Sequence, residues 1–238
     1  MENLRRLGGI AGILSGAATV WLAIGLTVAF PAAGLSVKGE QDPARYLPFI
    51  TRHAALFWAV GTLGGVLAAL AAGILVLALA DRFHEGSRDQ ARLGLALGLV
   101  GAVGLAIGAF LRLTGFGYLA AVYGSTRQGA AVAFYAVNGV AASCLALADL
   151  ALGLGALTFG GMMLRTPAFT QAGYMSIVAG TPLIISAFMA TDVLGLIASG
   201  LTALWLTWSG WRLWAETMLA ERVRGARSSR PGVFRHAV

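Results

Sequence analysis

Six apolar runs, each long enough to cross about 30 Å of hydrocarbon as a helix, govern what this chain can fold into. They lie at residues 7–30, 48–80, 93–119, 129–164, 171–189 and 193–215, separated by short polar or charged stretches. A backbone in lipid must satisfy its own hydrogen bonds, so runs of this length and apolarity read as helices. Composition agrees: 58% of the 238 residues are hydrophobic and 11% are charged, against about 25% charged in soluble domains. The expected fold is all-α, a polytopic membrane protein with a six-transmembrane-helix bundle at residues 1–215 and a basic tail at 216–238. The first run resembles a signal peptide in its basic start, but its 24 residues exceed the usual apolar region of about 7–15. It is expected to be a retained helix.

Charge around the runs gives a side. Six spans return the chain to where it started, and Arg5, Arg6, Arg82, Arg88, Arg92, Arg165, Arg212, Arg222, Arg224, Arg227, Arg230 and Arg235 flank that face. Lys38, Arg45, Arg52 and Arg127 flank the other. An excess of Arg and Lys marks the cytoplasmic face, so both termini are expected inside. The five tail arginines are expected to contact anionic lipid or a partner, each worth roughly 1 kcal/mol beside such a surface. Residues 216–227 read as a helical continuation lying on the membrane. Nucleic-acid binding is the disfavoured reading of this tail.

Within the apolar runs, two charges stand out. Arg112 lies in the third run and Asp149 in the fourth. At 1.5 Å per residue they sit about 30 Å and about 24 Å above the terminal face, close enough in depth for an intramembrane ion pair. An ionisable side chain at such depth is costly and marks a functional candidate. Three readings of the pair remain open: a helix–helix clamp, a substrate, proton or ligand site, and a contact to another subunit.

Small residues recur every fourth position, as in Gly8, Gly12 and Gly16, in Gly61, Gly65 and Gly73, and in Gly104 and Gly108. Such stripes let helix backbones approach closely, a glycine-zipper pattern, and a stripe facing outward would instead mark an oligomer interface. Pro182 is expected to kink the fifth helix. Trp205, Trp208, Trp211 and Trp214 step by three near the end of the sixth run. They read as an interfacial belt, with a pigment or quinone contact surface as the alternative.

Other chemistries are poorly served. His53 follows Arg52 at the entrance of the second run. It reads as a solvated interfacial histidine or, alternatively, as the ligand of a chlorophyll-type pigment. His84 and His236 fall in a loop and in the tail, so the paired imidazoles of a membrane haem are missing. Lys38, the sole lysine, is in a loop, which excludes a retinal Schiff base on a helix. One cysteine, Cys144, excludes an internal disulfide and a multi-thiolate metal site. No phosphate-binding glycine loop, H-E-x-x-H or G-x-S-x-G occurs, so no metal or catalytic residue is assigned and an enzyme is not expected.

An Arg-Leu-Gly-Gly-Ile-Ala-Gly start at Arg6 is followed by Asp42-Pro43 in the first loop, Gly173-Tyr174 and Gly180 late, and Trp208-Ser209-Gly210-Trp211 near the end. In this pattern the chain resembles a family of uncharacterised bacterial six-helix membrane proteins, a domain of unknown function. The resemblance implies six helices in a bacterial inner membrane and brings no activity or catalytic residue with it. With so few polar groups inside the runs, the leading functional expectation is a structural or accessory subunit packed against other membrane proteins and lipid. The alternatives are a small transporter or ligand sensor using Arg112 and Asp149, and a pigment- or quinone-binding subunit.

Overall fold

A computed structural model describes residues 2–189 and 192–228. Among these residues every regular element is helical and there is no strand. Six helices are long and apolar enough to cross a membrane, compatible with a multi-pass membrane protein. With one shorter helix they are α1 (Asn3–Ala32), α2 (Pro43–Arg52), α3 (Ala54–Phe83), α4 (Arg88–Val122), α5 (Arg127–Leu164), α6 (Thr170–Phe188) and α7 (Asp192–Ser228). Packing follows chain order round a ring: α3 against α1 and α4, then α5, α6 and α7, which closes back on α1. Arg5 pairs with Asp81 at 2.8 Å and Arg6 with Glu221 at 3.4 Å. The start of the chain and the end of α7 thus share one end of the ring, here termed the terminal end.

The chain turns at the far end of α1 through Gly34, whose φ of +97° suits a residue without a side chain. A 3₁₀ turn, Val37–Gln41, follows. Asp42 then accepts the Ala44 amide at 2.9 Å and, with Pro43 in the first turn, starts α2. The second long helix does not begin near residue 48. Pro48 lies inside α2, and the backbone breaks at His53 (φ −120°, ψ 40°) before α3 sets off. Amphipathicity separates them: α2 buries Tyr46, Leu47, Phe49 and Ile50 on one side and exposes Arg45 and Arg52 on the other.

Other boundaries also shift. The bundle does not stop at residue 215, because α7 continues unbroken to Ser228, Glu216 pairs with Arg82, and Thr217 is buried. Trp205 is 1% exposed, a core residue facing inward, while Trp208 and Trp211 lie at the surface. Steps of three residues carry successive side chains around a helix, so four tryptophans cannot share one face. Pro182 does not interrupt α6.

Two apolar clusters close the ring. At the terminal end Leu75, Leu79, Phe159, Met163, Phe169, Trp205 and Leu213 pack together. At the far end an aromatic cluster joins α2 to its neighbours, with Tyr46 edge-on to Phe57, Phe116 and Phe134. Along the seams of the ring, small residues let neighbouring helices approach closely. A Cβ added at Gly12 would lie 2.8 Å from the Gly210 Cα, and one at Gly65 would lie 2.9 Å from the Ala109 Cβ. Gly8 meets Ala78, Gly16 meets Ala203 and Thr207, Gly61 meets Leu113, and a Cβ at Gly73 would touch the Ala102 Cβ at an ordinary contact distance of 3.6 Å. Gly104 lies against Ala148, and Gly108 against Leu145 and Ala141.

Candidate functional site

Between the aromatic cap and the terminal plug lies a cavity of about 620 Å³. Most of its wall is apolar, including Leu22, Leu26, Val60, Leu113, Leu152, Leu183 and Leu206. Into this wall project Ser15, Thr19, Glu40, Tyr46, Arg112, Asn138, Asp149, Ser199 and Thr202. A mostly apolar chamber with a few convergent polar groups has the form of a small-molecule site.

Backbone irregularity converges on the same space. Among the described residues three stretches wind as π-helix, Gly25–Ala29 in α1, Val60–Leu67 in α3 and Leu111–Gly115 in α4. Each contributes wall residues: Leu26 from the first, Val60, Gly61, Gly64 and Gly65 from the second, Arg112 and Leu113 from the third. A π turn widens a helix locally and is found disproportionately at functional sites.

Arg112 and Asp149 both line the cavity but do not form the expected ion pair. Among the described residues Asp149 is absent from every salt bridge, and its Oδ2 accepts a hydrogen bond from the Ser186 hydroxyl at 3.3 Å. Arg112 donates from Nη2 to Asn138 Oδ1 at 3.5 Å, and its buried Nε has no hydrogen-bond partner among the described residues. The reason is register. Along the α4–α5 seam Gly101 meets Leu152, Gly104 meets Ala148, Gly108 meets Leu145 and Gly115 meets Val137. Asp149 is therefore level with Gly104, and Arg112 stands some eight residues further along, roughly 12 Å of helix rise. Counting up each helix from its own charged end placed them too close together, because the two ends are not level.

Tyr46 hangs from α2 over the far end of the cavity. Burial pushes its phenol above the ordinary range and nearby Glu40 adds to the effect, with Arg112 opposing it. Thr51 shares its hydroxyl proton between the Leu47 carbonyl of the same helix at 3.2 Å and the Ala120 carbonyl of α4 at 3.3 Å. The terminal end is clamped differently. Arg82 makes two bonds to Glu216, at 2.8 and 2.6 Å, and its guanidinium lies over the Phe83 and Phe169 rings at 5.7 and 5.6 Å.

The remaining candidates lie elsewhere. His53 sits at the α2–α3 break with its ring 4.8 Å from Phe49, beside Arg45 and Arg52 in a second pocket that shares no lining residue with the cavity. Of the tail arginines, Arg222 is exposed at the end of α7. Arg224 and Arg227 are on the same helix without described side chains, and Arg230 and Arg235 lie outside the described residues. No group of three or more His, Cys, Asp or Glu side chains suited to a metal occurs among the described residues.

Sequence reasoning missed most of the polar wall. Ser15, Thr19 and Thr202 look alike as helix hydroxyls, although Thr19 and Thr202 bond to their own helix while Ser15 donates across to Ala68 of α3. Nothing in a one-dimensional reading distinguishes those that face a cavity. Asn138, an amide inside an apolar run, carried a signal that a search for charges alone passes over. No family model, no curated protein and no solved structure matches this chain.

Proposed function

We propose that this chain is an integral membrane protein, crossing the bilayer six times with both ends in the cytoplasm, that takes a small molecule into its central cavity as a transporter or ligand sensor. The observation carrying this reading is the cavity itself, about 620 Å³ of mostly apolar space into which the chain directs both of its deep charges. Keeping a carboxylate and a guanidinium at such depth is costly, and as separate groups they do not offset one another as a clamp would. The three wound-out helix segments around the cavity add support. In the sequence, twelve arginines fall in the flanks on the side of the chain ends against four basic residues in the opposite flanks, which favours the cytoplasmic assignment of the termini. A bacterial inner membrane suits the same charge bias.

The test is to purify the protein from its native membrane and extract it for small molecules. A stoichiometric compound present in the wild type and lost on plugging the cavity with Ser199→Trp is the expected result. A protein that carries nothing, or a compound retained equally by the plugged variant, defeats the reading.

A second reading, an accessory subunit of a larger membrane assembly, draws on the unequal helix lengths. With Gly153 against Gly180 and Gly160 against Ser176, α6 ends level with about residue 145 of α5. The first part of α5 extends some 25 Å further, presenting exposed Val132, Tyr135 and Val140. Co-purification of a second membrane protein in fixed ratio would favour it; a lone monomer would exclude it.

A further inference from the structure

Three hydroxyls of the cavity wall, Ser15, Thr19 and Thr202, share one property: they are left only to accept hydrogen bonds. Ser15 donates its hydroxyl proton to the Ala68 carbonyl at 2.8 Å, Thr19 to the Ser15 carbonyl at 2.9 Å, and Thr202 to the Ala198 carbonyl at 2.7 Å. A hydroxyl has one proton to give, so each of these offers the cavity only lone pairs. Ser186 likewise gives its proton to the Leu183 carbonyl at 2.8 Å, shared with Asp149. The Asp149 carboxylate has no cation paired with it among the described residues, and a carboxylate has room for several donors on its two oxygens. The strongest donor of the cavity, Arg112, is roughly 12 Å away along the register, bonded to Asn138 and within electrostatic reach of Glu40 and Tyr46.

A carboxylate with no paired cation among the described residues, in an apolar wall where three hydroxyls have already spent their protons, calls for a ligand that brings both donors and positive charge. We propose that the deep end of this cavity recognises the ammonium group of a small amphiphilic amine, with Asp149 as its counter-ion. The ammonium supplies three donors, which Asp149 and the hydroxyl oxygens of Ser15, Thr19 and Thr202 can share. The apolar body lies against Leu152, Leu183 and Leu206. This inference rests on the cavity being the ligand site and adds the polarity of what enters it. The opposite polarity, an anionic head on Arg112, is the outcome that would replace it.

Three probes of one shape decide the matter: phenylbutylamine, phenylbutanol and phenylbutanoate, carrying positive, zero and negative charge at neutral pH. Their binding to the full-length protein in lipid nanodiscs is measured by calorimetry for the wild type, Asp149→Asn and Ser199→Trp, with Ser199→Phe as a smaller plug should the tryptophan variant misfold. The amine is expected to bind about tenfold or more tighter than the alcohol, as one charge-assisted contact implies. Asp149→Asn is expected to erase that preference while leaving alcohol binding in place. Tightest binding by the acid, or an amine preference that survives Asp149→Asn, overturns the amine inference alone. If none of the probes binds in a manner sensitive to the plug, the cavity reading and this inference fall together.

Discussion

At Gly12 a single hydrogen atom decides how closely two helices approach. Its missing side chain leaves room for Gly210, and a Cβ there would fall 2.8 Å from both the Gly210 Cα and the Leu206 carbonyl oxygen. Gly12→Val should force α1 from α7 and cost roughly 1–3 kcal/mol, the usual range for overpacking, read as a lower Tm in detergent. Gly139→Ala, with nothing within 4 Å of the new methyl, should leave Tm unchanged. Equal effects of the two would mean that the α1–α7 contact is not close-packed. Arg82 and Glu216 make a second residue-scale case. Removing either partner should lower stability by roughly 1–2 kcal/mol, the scale of charged hydrogen bonds, and exchanging the two residues should restore part of it. A double exchange no better than the single variants would show that the pairing contributes little.

Among the elements, α2 departs furthest from the continuous run expected at residues 48–80. It is a separate amphipathic helix that brings Tyr46 over the cavity, packed edge-on to Phe57, Phe116 and Phe134. Because the folded state holds the Tyr46 phenol above its ordinary range, it favours the neutral form. The associated stability is fully present below about pH 10, where an unfolded tyrosine titrates, and is lost as pH rises beyond that. Tyr46→Phe has no proton to lose, so its cap should resist alkaline loosening better than the wild type, measured by near-UV circular dichroism from pH 9 to pH 12. Identical alkaline profiles would mean that the phenol is not held in its buried, neutral form. The π segments are the other surprise at this scale. Apolar periodicity cannot separate a π turn from an α turn over five residues, since both keep the same residues roughly inward. The widening becomes visible only when neighbouring helices are present.

For the molecule as a whole, the ring of six long helices has its two ends finished differently. Ion pairs join Arg5 to Asp81, Arg6 to Glu221 and Arg82 to Glu216 at the terminal end, whereas an aromatic cap closes the far end. In the proposed orientation the ion-paired end faces the cytoplasm. Single cysteines placed at Arg88 and Arg127, in a background with Cys144 replaced by alanine, test this with a membrane-impermeant thiol reagent. On intact cells the cysteine at 127 should label and the one at 88 should not. The reverse pattern would invert the molecule.

The sequence alone determined the all-helical class and the number of long apolar helices, because a run of some twenty apolar residues has few other ways to satisfy its backbone. It also located Arg112 and Asp149, since a charge inside such a run is conspicuous wherever it points. What it could not determine was their relation, which depends on how far α4 slides along α5. That slide is set by which small residues interlock, Gly101, Gly104 and Gly108 against Leu152, Ala148 and Leu145, and a sequence offers several nearly equivalent registers. Tertiary packing chose the one that parts the two charges and leaves a chamber between them. The cavity itself is a property of the space between helices, and no residue taken singly encodes it.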